Sequence, residues 1–304
     1  MDREIASPAL EEHTDAAPTI NCVGITLFII LAFGISWALW FTLASFRVPF
    51  STRAALGMFG PAIACILVRL IRREGFSDAG LLFGGMGVRG LGRLYLAAYL
   101  VPIALLVIGL ALALMLGIQQ WILSEYLHAT RTSPLVFALT SLKDMTLVIP
   151  GIMLFTFGEE LGWRGYLLPR LSPLGGVAAA ISVGVIWGLW HAPFIFIDGY
   201  EYGEVHALRA VFMFVLPSTT LSIILAWLRF RSGSIWPAVL AHAVGNQAAG
   251  LALLAYVTVG NPYLGVPIGL IGILLSAAFA SWLIATGRLK SETPQETEAS
   301  DGHL

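Results

Sequence analysis

The sequence predicts an all-α, polytopic membrane protein of about eight transmembrane helices. Three observations predict it. Hydrophobic residues make up 58% of the 304-residue chain and charged residues only 12%, whereas a soluble domain is about 25% charged. Mean hydropathy is +0.84. The apolar residues also fall in blocks of about 20, the length that crosses a hydrocarbon core of about 30 Å. The lipid bilayer is therefore the partner the composition demands, and a net charge of −1 argues against nucleic acid.

Residues 1–22 are polar and acidic, with Asp2, Glu4, Glu11, Glu12 and Asp15. That is the wrong flank for a secretory leader, so the first apolar block is expected to stay as an anchor. Eight spans follow, at 24–46, 54–71, 94–117, 145–168, 175–197, 207–228, 234–256 and 263–286. Residues 118–144 carry Glu125, Arg131, Lys143 and Asp144 and read as a loop with an interfacial helix. The expected organisation is a polar N-terminal segment 1–22, a membrane domain 23–286 with its polar motifs in 145–256, and a polar tail 287–304.

Orientation follows from Lys and Arg. One face receives Arg3, Arg69, Arg72, Arg73, Arg89, Arg93, Arg164, Arg170, Arg229, Arg231, Arg288 and Lys290. The other receives only Arg47, Arg53, Arg131, Lys143 and Arg209. The excess predicts a cell-membrane protein with both termini cytoplasmic, and loop 198–206, with Asp198, Glu201 and Glu204, falls on the outer side.

Several signals resemble chemistry without its context. Gly85–Gly90 fits GxGxxG but lies in a basic inter-helix loop, not between a strand and a helix. Gly233-Ser234 lacks a surrounding GxSxG, and Asp198-Gly199 lacks a second intramembrane aspartate. There is no HExxH, and His13, His128, His206 and His303 fall in tails or loops. Cys22 and Cys65 make neither a disulfide framework nor a zinc knuckle.

The informative residues are ionisable groups inside apolar spans. The fourth span sets Glu159 and Glu160 side by side, with Arg164 one turn on. Glu160 and Arg164 are i, i+4 and can pair, while Glu159 is rotated about 100° away. A carboxylate at mid-bilayer costs at least about 2.5 kcal/mol, so two demand a reason. Capping at the interface is the plain one. Two further spans supply partners, however: Trp187 and His191 one turn apart in the fifth, His242 and Asn246 one turn apart in the seventh. At about 1.5 Å per residue, Glu159 and His242 lie at similar depths on the cytoplasmic side. His191 is deeper unless the fifth helix tilts or starts late. The candidate active site is thus in the helix bundle.

Glu159-Glu160-x-x-x-Arg164, Trp187-x-x-x-His191 and His242-x-x-x-Asn246 resemble the three ordered motifs of the CPBP family of CAAX prenyl endopeptidases, bacteriocin-processing enzymes and relatives, also called Abi proteins. Its pattern is EExxxR, FxxxH and HxxxN or HxxxB; the departure is Trp187 where Phe is usual. The resemblance implies an intramembrane endopeptidase acting on a membrane-associated peptide or protein. Glu159 would be the general base and His191 would hold or activate water. His242 and Asn246 would stabilise the oxyanion, and Glu160 and Arg164 would organise the site. A buried carboxylate suits the base, and a missing oxyanion donor typically costs about 100- to 1000-fold in rate.

Glu159, His191, His242 and Asn246 are also the set that would hold a divalent metal such as zinc. Asn is an uncommon zinc ligand, so the preferred reading requires no cofactor. CAAX activity needs a prenylated C-terminal cysteine, and the compact chain resembles prokaryotic members, whose substrates would be small peptides or membrane proteins. The alternatives from other classes are a transporter with a buried Glu/His relay, and a non-catalytic binding or immunity protein. The transporter reading lacks the inverted repeats and paired broken helices common in such folds.

Overall fold

The computed structural model describes residues 20–84, 87–199 and 206–290. Loop residues Glu201 and Glu204, the start of the Gly85 motif and most of the two polar termini lie outside them.

The helices are α1 (Cys22–Ser45), α2 (Phe50–Gly57), α3 (Gly60–Arg72), α4 (Val88–Met115), α5 (Leu123–Thr130), α6 (Pro134–Thr146), α7 (Ile149–Gly162), α8 (Leu168–Leu171), α9 (Gly176–Trp190), α10 (Ala192–Asp198), α11 (Ala207–Ser232), α12 (Trp236–Leu253) and α13 (Leu270–Ala285). An antiparallel pair joins β1 (Gln119–Trp121) to β2 (Tyr256–Thr258), with Gln120 opposite Val257. Local chemistry sets many of the helix starts. The Asn21 side chain accepts from the Gly24 N–H, and Ser133 accepts from the Val136 N–H. Proline occupies the first turn of α3, α6, α7, α10 and α12, where its missing N–H costs nothing.

Among the described residues, five helical stretches are long and apolar enough to cross a membrane: 22–45, 50–72, 89–115, 176–198 and 207–232. A sixth appears if α6 and the helix beginning at Ile149, bent by 44°, are taken as one. The expected eight are therefore not confirmed. The remaining two fall on α12, whose middle carries His242, Asn246 and Gln247, and on α13, which has only 16 residues. Segment 118–144 is also more ordered than expected: a strand and two helices replace a loop with one helix. The fifth span is interrupted at His191, after which Pro193 lies in the first turn of α10.

The core is built where α7 packs on α3 and α12, α9 on α11, and α12 on α4. Gly158 and Gly162, which flank the glutamate pair, make the first of these approaches possible. A Cβ on Gly158 would lie 2.6 Å from the Met58 carbonyl oxygen, and one on Gly162 would lie 2.4 Å from the Pro61 Cβ. Trp40, Trp163 and Trp190 are fully buried around this centre.

The arginine-rich end is closed by an ion network. Arg69 donates to Asp78 at 2.7 Å and to the Gly165 carbonyl at 2.9 Å. Arg170 pairs with Asp78 at 3.0 Å and with Glu74, and Arg229 reaches the Asp78 carbonyl at 2.8 Å. The loop after α3 is thereby tied to α8 and the end of α11. At the opposite end Arg53 pairs with Asp198 at 2.6 Å.

Candidate active site

After Gly162 the helix carrying the two glutamates widens into a π-turn, Trp163–Leu167, before continuing as α8. Such turns are rare and frequent at functional sites. Glu159 is 2% exposed, His242 4%, and Glu160 and Arg164 are fully buried. Four buried ionisable groups need mutual satisfaction, because an unpaired buried charge is strongly destabilising.

The two glutamates take different partners. Glu160 Oε1 accepts from Arg164 at 2.9 Å and from His242 Nδ1 at 2.8 Å, so α7 and α12 meet at one carboxylate oxygen. Glu159 Oε2 accepts from the Trp187 indole N–H at 2.6 Å and from the Trp163 indole N–H at 3.4 Å, so α7 and α9 meet at the other residue. The Arg164 guanidinium lies 4.8 Å from the Trp187 ring centroid, a cation–π contact. His242 lies 5.2 Å and His191 5.7 Å from that ring.

His191 sits at the break between α9 and α10, its Nδ1 2.9 Å from the Trp187 carbonyl. A carbonyl can only accept, so Nδ1 carries the hydrogen and Nε2 of the neutral ring offers a lone pair. His242, with Nδ1–H committed to Glu160, can donate from Nε2 only as the imidazolium. Asn246 lies one turn beyond His242 on α12 and is exposed. The structure thus groups Glu159, Glu160, Arg164, His191 and His242 around Trp187, with Asn246 outside that hydrogen-bonded set.

Sequence reasoning missed two donors. The sequence marks Trp187 only as a departure from the usual Phe, yet it makes the shortest hydrogen bond to Glu159. Trp163 was not singled out at all. Its spacing of four from Glu159 was the available signal.

Among the described residues no group of three or more His, Cys, Asp or Glu side chains is placed to hold a metal ion. Glu159 Oε2 is taken by two indoles and both histidine Nδ1 atoms face protein acceptors, which leaves Glu159 Oε1 and the two Nε2 atoms as the remaining polar atoms of the set.

Residues 141–248, which hold all three motifs, match the family described as type II CAAX prenyl endopeptidase, Rce1-like. Over this segment the chain is similar to the CPBP/CAAX protease family. A relative, CAAX prenyl protease 2 of Methanococcus maripaludis, is 33% identical over 107 residues, which is 34% of this chain and 40% of the relative. The chain thus matches less than half of that relative's length.

Proposed function

We propose that the protein is an intramembrane endopeptidase in which Glu159 activates water. The observation that supports this best is the meeting of three separate motifs, with Trp187 on Glu159 at 2.6 Å and His242 on Glu160 at 2.8 Å. In the proposed step a water loses a proton to Glu159 as its oxygen bonds to the scissile carbonyl carbon. His191 Nε2 accepts the second water hydrogen and orients the attack. The imidazolium Nε2–H of His242 and the Asn246 carboxamide donate to the oxyanion. The C–N bond then breaks as Glu159 returns the proton to the leaving nitrogen, giving a carboxylic acid and an amine. Glu160 and Arg164 hold His242 in register. No metal takes part in this scheme.

The family and the relative's name make a peptide ending in a prenylated CAAX sequence the first substrate to try, with plain membrane-protein segments second. The same proposal puts the arginine-rich end, and both termini, in the cytoplasm. The test is mass-spectrometric detection of cleavage by the wild type in lipid, with Glu159→Gln and His242→Ala beside it and chelator in a parallel series. Cleavage that both substitutions abolish and chelator leaves intact is expected. Cleavage that survives Glu159→Gln, or no cleavage of either peptide class by folded wild type, would overturn the proposal.

A further inference from the structure

The two carboxylate oxygens of Glu159 are not equivalent. Both indole N–H groups converge on Oε2, and among the described residues Oε1 accepts no hydrogen bond. The shorter bond comes from a different helix, 28 residues along the chain, whereas Trp163 belongs to the continuation of α7 itself. The Trp187 ring is 3% exposed and held on several sides by Arg164, His191 and His242. Its N–H direction is therefore set by packing. The same residue's carbonyl takes the Nδ1–H of His191 at 2.9 Å.

One residue thus holds two others: its N–H takes Oε2 of Glu159 and its C=O takes the Nδ1–H of His191, leaving Oε1 and Nε2 free of these bonds. An indole N–H does not transfer a proton, so Trp187 performs no chemical step. We propose that Trp187 is the positioning residue of the water-activating pair, deciding which oxygen of Glu159 and which nitrogen of His191 face the water. This rests on the proposed endopeptidase reading.

Trp187→Phe keeps an aromatic ring and the backbone carbonyl and removes the N–H. Hydrogen bonds to charged groups are strong enough that its loss should lower kcat about tenfold or more, with KM changed by less than about twofold. Trp163→Phe, which removes the longer bond to the same oxygen, should cost less. In an NMR spectrum of indole ¹⁵N–¹H pairs, the resonance that disappears in Trp187→Phe should move in Glu159→Gln and stay in place in Asp198→Asn. A folded Trp187→Phe with wild-type kcat, equal losses in the two tryptophan variants, or an indole resonance unmoved by Glu159→Gln would each overturn this assignment alone. A wild type that cleaves nothing overturns the underlying reading and this proposal with it.

Discussion

Glu159 and Glu160 are neighbours with different partners because a helix turns successive side chains about 100° apart. One faces the indoles of Trp187 and Trp163, the other faces Arg164 and His242. Their neutral variants should therefore fail differently. Glu159→Gln removes the proposed base and keeps the shape, so cleavage should fall by about 100-fold or more while thermal unfolding stays near wild type. Glu160→Gln leaves the fully buried Arg164 without its counter-charge, which costs about 3–5 kcal/mol. Unfolding in detergent should show that loss together with lost activity. Equal stability of the two variants would contradict the division of roles. The clustered ionisable residues were legible in the sequence because carboxylates and imidazoles are costly inside apolar runs. Their partners were not, since a motif spacing shows which residues share a face but not which oxygen a distant indole reaches.

At the scale of elements, the site depends on α7 lying directly against the start of α3. Glycines at 158 and 162 allow it, and the atoms a Cβ would meet are mainly backbone and proline ring, which cannot rotate aside. Gly158→Ala or Gly162→Ala should thus destabilise by about 1–3 kcal/mol and reduce cleavage, although no proposed catalytic group is altered; wild-type Tm and activity in both would contradict this packing account. Helix positions were readable from the apolar blocks. The break at His191 was harder to place, because Pro193 in the first turn of a new helix and Pro193 inside a kinked one look alike in sequence. Segment 118–144 was under-read because its exposed Leu135, Val136, Leu139 and Leu142 alternate with polar residues too irregularly for a span.

At the scale of the whole molecule, the arginine-rich end is held by charges outside the apolar spans. Burial opposes ionisation of Glu74, but hydrogen bonds from Arg72 and Arg170 outweigh it and hold the carboxyl below its ordinary value. At Asp78 burial is likewise outweighed, chiefly by Arg69. A carboxyl depressed in the folded state stabilises the protein above its unfolded pKa, and that contribution is lost as pH falls through the folded value. The melting temperature in detergent should therefore drop on acidification below about pH 4, and Glu74→Gln with Asp78→Asn should lower Tm at neutral pH and flatten the acid loss. A double variant with an unchanged acid profile would place the acid sensitivity elsewhere.

The most direct test of the central claim compares initial rates of peptide-bond cleavage by wild type and Glu159→Gln in lipid vesicles, using preparations matched in Tm. The account predicts cleavage by the wild type and a loss of about 100-fold or more in the variant. A Glu159→Gln protein that cleaves at near the wild-type rate would contradict it.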